Sequence, residues 1–321
     1  MQRKLASEIS AKEEGKEALL RGWVHEVRDL GSLKFIVLRD ASGIIQVTAK
    51  KETTDKKLFE QISKLSRESA IEIEGKVKAS KQAPGGREVL PAKLIVLAAA
   101  EEQLPIEINE YSKTSLPKRL DWRSLDLRNP RNNAIFQIQG KLVEGMQEWL
   151  KNNGFIQVFT PCLMGIPSES GSEVFEVKYF KGTAFLRQDP QLHRQLTIAG
   201  GLEKIYDLGP SWRAELSHTV KHMTEHRTCA AELAFIKDER DTMRVEEEMI
   251  VHAIKKVKEE CAKYLELFDV KIKVPETPFP ELLIPDVYKI LKKEGKNITG
   301  HDLDAEAEKL IWEYVQKKFK A

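Results

Sequence analysis

The segment from Gly209 to Phe235, GPSWRAELSHTVKHMTEHRTCAAELAF, constrains the fold of this chain more than any other. It predicts two strands joined by a polar, basic connection, with Arg213 and Glu215 at the end of the first strand. Residues two apart on a strand point to the same face, so a guanidinium and a carboxylate are expected on one surface, before Lys221 and His222. This set suits a polyphosphate, because a planar guanidinium and a loop cation can both bind phosphate oxygens. The segment alone leaves open the alternative of an ordinary surface ion pair beside a hairpin.

Composition sets broad bounds. The chain has 321 residues, 41% of them hydrophobic and 32% charged, which is typical of a soluble chain of about two domains. Its net charge of +2 does not by itself indicate a nucleic-acid-binding protein. No apolar run reaches the roughly 20 residues of a membrane span, and the first residues lack the apolar core of a signal peptide. Cys162, Cys229 and Cys261 form no CxxC pair, so we expect no zinc knuckle, no disulfide framework and a cytoplasmic location.

The N-terminal third has the pattern of a small β-barrel. Short apolar runs and period-two alternation, interrupted by Gly and Asp, extend from Ala18 to about Ala100. Strands are predicted at Leu20–Val27, Lys34–Leu38, Ile44–Thr48, Ala70–Glu74 and, after Pro91, Lys93–Leu97. A helical stretch is predicted from about Leu58 to Ser69, between the third and fourth strands. This order predicts an OB-fold barrel over residues 1–103.

Three side chains of the predicted barrel suit a nucleic-acid ligand. OB-folds bind single strands by stacking bases on aromatic rings and by holding phosphates with cations. Phe35 offers a ring, Arg28 a cation and Gln46 an amide for a base edge. The alternating pattern alone favours the alternative that Phe35 belongs to the core.

The period of the pattern changes after a linker predicted at residues 104–117, which ends at Pro117. Residues 118–321 alternate helix and strand, so we predict an α+β domain. Helices are expected at Ile135–Trp149, at Gln191–Ala199, after Asp241 and near Ala305–Val315; strands are expected at Phe155–Phe159, Phe175–Phe180, Thr183–Leu186 and Lys204–Leu208. The helix after Asp241 has an apolar stripe that is most simply a core face, which consists of Val245, Met249, Ala253, Val257, Cys261 and Leu265.

Three segments taken in order carry a resemblance. Glu144–Pro161, Arg187–Gln195 and Gly209–Phe235 resemble a class II aminoacyl-tRNA synthetase of the aspartyl/asparaginyl/lysyl subgroup, which has an N-terminal anticodon-binding OB domain. The barrel segment GWVHEVRDLGSLKFIVLRDASGIIQVTAKK is similar to the archaeal and eukaryotic aspartyl form. The resemblance implies ATP-dependent ligation of aspartate to tRNA through aspartyl adenylate, with Mg²⁺. It also implies a homodimer built through the first motif, at Gly154–Pro161.

The resemblance assigns roles to residues of the catalytic domain. Arg213 and Glu215 match the second motif, in which the Arg holds the α-phosphate of ATP and the Glu contacts adenine or the tRNA end. Lys221 and His222 match the pair that meets the γ-phosphate. Glu169, in a polar loop, matches a residue that faces the substrate ammonium.

The choice of amino acid depends on Arg194. Gln188, Gln191 and Arg194 match the helix that reads the amino-acid side chain, where aspartyl enzymes carry a Lys and asparaginyl enzymes lack the cation. Arg keeps the charge, so aspartate is favoured and asparagine is the alternative. Asp189 stands where a Ser is usual and can pair with Arg194, and His193 replaces a Tyr.

In the barrel, Phe35 and Gln46 match the ring and the amide that read the anticodon, and Arg28 lies nearby in sequence. The resemblance therefore implies a binding role for Phe35 rather than a core role.

One expected part has no counterpart in the sequence. The third class II motif ends in an Arg, yet no Arg follows Arg244, so that motif and most Mg²⁺ ligands are expected outside this chain. Three explanations remain open: a second polypeptide that supplies the motif, a shortened synthetase, or a non-catalytic tRNA-binding paralogue. A zinc site of His218, His222 and His226 is a minor alternative that requires a helix, since the three are four residues apart.

Overall fold

The computed structural model describes residues 1–101, 103–108, 113–169, 174–216, 222–298 and 302–319. The chain forms two compact units, one built on residues 1–107 and 113–122 and the other on the residues from Arg123 onward. Pro117, predicted to end a linker, lies in the first turn of a short helix, α2, which spans Leu116–Asp121. Proline is tolerated there because the first N–H groups of a helix have no intrahelical acceptor.

The first unit is a closed five-stranded barrel with strand order β1-β2-β3-β5-β4. Its elements are β1 Glu17–Asp29, β2 Leu33–Asp40, β3 Gly43–Lys50, helix α1 Lys56–Ile62, β4 Ala70–Ala79 and β5 Arg87–Ala98. The β3–β5 pair is parallel and closes the barrel, whereas the other neighbours are antiparallel. The predicted OB-fold is confirmed.

Strand alternation determines which barrel residues are buried. Val24, Ile36, Ile45 and Ile71 are fully buried in the barrel core. Phe35, adjacent to Ile36, is only partly buried and lies outside that core. The core position that the pattern alone favoured for Phe35 is therefore wrong.

Two predicted boundaries in the barrel differ from the structure. Helix α1 ends at Ile62 rather than near Ser69, because the chain turns back to β1: Val24 N–H donates to the Ser69 carbonyl over 2.9 Å. Strand β5 starts at Arg87 and continues through Pro91. Pro91 is accommodated where it lies opposite Gly75, next to a register shift, and a proline contributes no N–H to a ladder.

A buried ion pair lies at one end of the barrel. Arg39 donates to Glu68 over 2.6 Å, and both side chains are more than nine-tenths buried. Another guanidinium nitrogen of Arg39 lies 3.0 Å from Nδ1 of His25. Burial, followed by the charge of Arg39, lowers the pKa of His25, so the ring is held neutral and can accept this hydrogen bond.

The second unit combines helices with two small sheets, which confirms the α+β class. Its helices are α3 Arg123–Asp126, α4 Pro130–Asn152, α5 Gln191–Ala199, α6 Glu239–Glu260, α7 Ala262–Glu266, α8 Ile284–Lys293 and α9 Ala305–Phe319. Its strands are β6 Ile156–Gln157, β7 Leu163–Met164, β8 Glu176–Tyr179, β9 Gly182–Leu186, β10 Lys204–Trp212 and β11 Glu225–Leu233. One sheet has the order β11-β10-β6 and the other β7-β9-β8. Helix α5 has the predicted bounds, but the predicted strand at Phe155–Phe159 shrinks to two residues, because only Ile156 and Gln157 pair with β10.

The predicted apolar stripe after Asp241 is a core face, as expected. Met249 packs with Leu150 and Tyr206, and Val257, Cys261 and Leu265 form a neighbouring cluster. Helices α4 and α6 approach closely at Gly145, where an added Cβ would lie 2.7 Å from the Ala253 Cα. The cores thus position β10 and β11 over α4 and α6.

The two faces of β10 have different roles. Tyr206 and Leu208 point toward the α4–α6 core. Asp207 points to the opposite face, because successive residues of a strand alternate. Arg213 follows β10 at an even spacing from Asp207, so it continues the same face of the strand. That face carries the candidate site.

Candidate functional site

Arg213 lies immediately after β10. Its backbone N–H donates to the Thr224 carbonyl over 3.0 Å, which continues the pairing with the segment that leads into β11. Its guanidinium donates to Glu169 over 3.2 Å, and the Arg213 side chain is 48% exposed. Glu215 lies three residues past the end of β10, so the two-residue alternation does not place it beside Arg213. The guanidinium therefore remains accessible to a ligand while Glu169 fixes its position.

The polar loop before β8 is joined to the segment before α5. The Glu169 N–H donates to Oε1 of Gln188 over 3.1 Å, and the Gln188 N–H donates to Oγ of Ser168 over 3.0 Å. Gln188 is buried and precedes helix α5 rather than lying on it, whereas Gln191 is the first helical residue and is exposed. These bonds connect the predicted ammonium-binding Glu169 to the predicted side-chain pocket.

Two other predicted residues bear on this region. Lys221 lies outside the described residues, as do Ser170 and Gly171 of the predicted loop. His222 is described and exposed, just before β11.

Arg194 is buried and held by two carboxylates. Its Nη1 and Nη2 atoms each donate to one oxygen of Asp189 over 2.9 Å, and its Nε donates to Glu232 over 3.2 Å. Burial favours a lower pKa, but the hydrogen bonds and charge of Asp189 and Glu232 outweigh it and raise the pKa of Arg194. Arg194 is therefore a fixed cation with its own internal counter-ions.

A second buried arginine braces the sheet beneath the site. Arg187 is 1% exposed, and its Nη1 lies 3.0 Å from Asp207. Its other bonds go to the carbonyl of Pro210 over 2.5 Å and to the carbonyl and hydroxyl of Thr160. At Gly209 an added Cβ would lie 2.1 Å from Nη2 of Arg187, so this position must lack a side chain. Arg187 thus ties the strand that leads to Arg213 to the segment that follows β6.

The barrel presents a polar face built around Phe35. Arg28 and Phe35 are cross-strand partners, as are Phe35 and Thr48, so these side chains form a row across three strands. Gln46, in the adjacent row, donates to Glu88 over 3.1 Å. Arg28 is exposed and paired with Glu26 over 2.8 Å. The structure therefore brings Arg28, Phe35 and Gln46 to one outer face.

The structure adds four functional candidates that the sequence reasoning missed. Glu88 lies beside Gln46, Glu232 holds Arg194, and Arg187 with Asp207 supports the sheet. The signal for Asp207 was available, because it is the one carboxylate of strand β10, KIYDLGPSW. Glu88 gave no such signal, since its partner on β3 is distant in sequence.

Metal binding finds no support among the described residues. No three of their His, Cys, Asp or Glu side chains are grouped to hold a metal ion. His226 lies on strand β11, so the helix required by the zinc alternative is not formed there, and His218 lies outside the described residues. Within the same described ranges, no helix has the length and apolarity to cross a bilayer.

Comparison with known proteins places this fold and site in a family. Residues 115–321 match the model of class II tRNA synthetases (D, K and N), and residues 18–97 match that of the OB-fold nucleic acid binding domain. The chain belongs to the class II aminoacyl-tRNA synthetases of the aspartyl, asparaginyl and lysyl group, as the sequence resemblance predicted.

Relatives from archaea match almost the whole chain. It is 40% identical over 314 residues to an aspartate–tRNA(Asp/Asn) ligase of Methanopyrus kandleri, covering 98% of this chain and 73% of the relative. It is 39% identical to an aspartate–tRNA(Asp) ligase of Thermococcus kodakarensis, covering 97% and 72%.

Solved structures agree with this placement. The asparaginyl-tRNA synthetase of Pyrococcus horikoshii, complexed with asparaginyl-adenylate, superimposes with a TM-score of 0.91 at 35% identity, covering 98% of this chain and 72% of that one. The aspartyl tRNA synthetase from Entamoeba histolytica gives a TM-score of 0.84 at 26% identity, with 100% and 69% covered.

Proposed function

We propose that this chain catalyses the ATP-dependent ligation of aspartate to tRNA through aspartyl adenylate. One observation carries the proposal: a line of contacts runs from Arg213 through Glu169 to Gln188, and the next residue in the chain, Asp189, holds Arg194. Such a line places a phosphate-binding guanidinium and an amino-acid pocket side by side. The names of the archaeal relatives support aspartate as the amino acid.

The first step forms the adenylate. An oxygen of the aspartate α-carboxylate attacks the α-phosphorus of ATP, and the bond to the bridging oxygen of pyrophosphate breaks. Arg213 stabilises the negative charge that develops on the α-phosphate oxygens. The attacking carboxylate is already ionised at neutral pH, so no general base is required. In the second step a hydroxyl of the terminal adenosine of tRNA attacks the acyl carbon, and AMP leaves.

The other predicted residues bind and orient the substrates. Glu169 holds the amino-acid ammonium, while Gln188, Gln191 and Arg194 surround its side chain. Glu215 contacts adenine or the tRNA end, and Lys221 with His222 binds the outer phosphates; these roles follow from the resemblance to the family. Mg²⁺ would accompany ATP in such chemistry, and it would shield the phosphate charges; among the described residues no three His, Cys, Asp or Glu side chains are grouped to hold it.

The barrel binds the tRNA anticodon in this proposal. Phe35 stacks on a base, Gln46 contacts a base edge and Arg28 neutralises phosphate, as OB-folds do with single strands. Glu88 belongs to the same face through its bond with Gln46. This face gives the enzyme its tRNA selectivity separately from the chemistry at Arg213.

The second unit forms a homodimer through the first motif in this proposal. Large apolar side chains are exposed in this motif and shortly after it: Phe159 is 83%, Ile156 50% and Ile166 70% exposed. Exposed large apolar side chains favour a protein interface where they form one patch. Sedimentation of the purified chain tests the proposal, and a monomer at micromolar concentration would contradict it.

The cytoplasm is the proposed location, in keeping with three free cysteines.

ATP–pyrophosphate exchange by the purified chain, with aspartate and with asparagine, tests the function. We expect exchange with aspartate, and we expect Arg213→Ala to abolish it without changing anticodon binding. Arg240→Ala is the matched control, because Arg240 is an exposed arginine on α6 whose partner is Glu281. Absence of exchange with either amino acid would refute catalysis by this chain and leave tRNA binding without activation as the second candidate.

A further inference from the structure

The guanidinium of Arg194 has little capacity left for a substrate carboxylate. A guanidinium has two edges at which two N–H groups can hold both oxygens of one carboxylate. Asp189 occupies the edge formed by Nη1 and Nη2, and Glu232 takes Nε, which belongs to the other edge. A third carboxylate would find single donors only. Asp189 thus accepts the same two hydrogen bonds, from Nη1 and Nη2 of Arg194, that the side chain of a bound aspartate would need.

The balance of charge around the pocket also opposes a negative side chain. Among the described residues that form the contact line, Glu169, Asp189 and Glu232 carry three negative charges, and Arg194 and Arg213 carry two positive ones. The substrate ammonium can compensate one carboxylate, but an aspartate side chain adds another negative charge beside the two carboxylates that already share the single charge of Arg194. A neutral amide adds none and can donate to a carboxylate oxygen.

Arg194 and Asp189 differ in their freedom to move. Arg194 is 6% exposed, so it is held in place, whereas the Asp189 side chain is 30% exposed. Asp189 also precedes helix α5 rather than lying within it. Asp189 can therefore swing toward solvent when another group binds Arg194, at the cost of its two charge-assisted hydrogen bonds.

We propose that Asp189 is a specificity-determining residue: its carboxylate competes with the substrate side chain for Arg194 and so weakens the preference for aspartate over asparagine. This inference rests on the proposed function, because it takes Arg194 as the residue that receives the amino-acid side chain. It follows from the bidentate pair that Arg194 forms with Asp189 in this chain. Removing the competing charge strengthens aspartate binding and leaves asparagine binding nearly unchanged.

The test measures the dissociation constants of L-aspartate and L-asparagine by titration calorimetry of the full chain. In the unaltered protein the two constants should differ by less than about tenfold, because an internal carboxylate offsets the charge preference. Asp189→Asn keeps the side-chain volume, removes the charge and should raise the aspartate-to-asparagine preference by about tenfold or more, as expected for charge-assisted hydrogen bonds. Asp189→Ser should act in the same direction. Asp286→Asn is the matched control, because it removes an exposed carboxylate paired with Lys289 on α8.

Several results would overturn the inference. An unaltered protein that prefers aspartate by more than about a hundredfold, or a preference that stays constant in both Asp189 variants, excludes the competition. Absence of aspartate binding in all variants also excludes it. The unaltered protein provides a measurement that does not depend on whether a variant folds. Pyrophosphate exchange separates this inference from the proposed function: exchange with aspartate and a constant preference refute the inference alone, whereas a shifted preference without exchange refutes catalysis alone.

Discussion

Replacing Arg187 by methionine removes the cation that neutralises Asp207 beneath the candidate site. Both side chains are at least 96% buried, since their exposed fractions are 2% and 4%. The substitution leaves a carboxylate in the interior without its cation and leaves the Pro210 and Thr160 carbonyls without these donors. Breaking a buried pair from one side costs about 3–5 kcal/mol, mostly because the remaining charge is not compensated.

A double variant separates the cost of the stranded charge from the cost of lost packing. Arg187→Met with Asp207→Asn replaces the ion pair by neutral groups of similar volume, so about half or more of the single-variant loss should be recovered. Asp207→Asn alone should cost less than Arg187→Met, because Arg187 retains its carbonyl acceptors. The measured quantity is the free energy of unfolding of the second unit in urea.

The assay must resolve the two units. The barrel and the second unit can unfold separately, so a signal from the whole chain would mix the two transitions. Unfolding of the second unit in urea is therefore followed by hydrogen exchange at the amides of β10, which belong to that unit. Equal losses in Arg187→Met and in the double variant would show that the cost comes from packing alone. A loss below about 1 kcal/mol would refute the idea that this pair braces the sheet.

Three further predictions follow from single positions. Gly209→Ala should destabilise the second unit by about 1–3 kcal/mol, because the new Cβ would lie 2.1 Å from the Arg187 guanidinium; urea unfolding measures it. Barrel stability should be full above the ordinary His25 pKa of 6.5 and fall as the pH drops through the lowered folded value, because the unfolded chain binds the proton more readily. His25→Gln should remove this slope in melting experiments at several pH values. Phe35→Ala should weaken anticodon stem-loop binding by about 1–3 kcal/mol through lost stacking.

Matched controls make these predictions specific. Gly140→Ala lies in helix α4 with no atom within 4 Å of the added Cβ, so it should stabilise by about 0.5–1 kcal/mol; an equal loss in both glycine variants would exclude the clash. Ile95→Ala removes a partly exposed side chain of β5, and equal loss of RNA binding there would argue against stacking by Phe35. A pH slope that persists in His25→Gln would assign it to other groups.

Sequence patterns predicted the parts of this fold that depend on local alternation. The strands of the barrel, the bounds of α5 and the apolar stripe of α6 follow from periods of two and 3.6 residues. The predictions failed where tertiary contacts decide: α1 stops at Ile62 because Glu68 and Ser69 bond to Val24 of β1, and Phe35 lies outside the core. Periodicity cannot say which face of a strand is inside a barrel unless the neighbouring strands are aligned.

The candidate site was predictable in its residue types but not in its pairing. Arg213 and Glu169 were identified by resemblance, and the structure brings them to 3.2 Å from each other. The sequence allowed Asp189 to pair with Arg194, but it could not reveal Glu232, which is 38 residues away from Arg194 in the chain. Such pairs depend on the register between β10 and β11, which places Glu232 opposite Ile205.

One short segment supplies both buried guanidinium groups of the second unit's site. Arg187 follows β9 and neutralises Asp207, while Arg194 on α5 is paired with both Asp189 and Glu232. Among the described residues the two guanidinium groups pair with different carboxylates, so the free energies of these ion pairs should be nearly additive. Substitution of Asp189 should therefore change the charge at the proposed amino-acid ligand Arg194 without loosening the strand that leads to Arg213, the proposed α-phosphate ligand. Selectivity and activation can then vary independently on this fold.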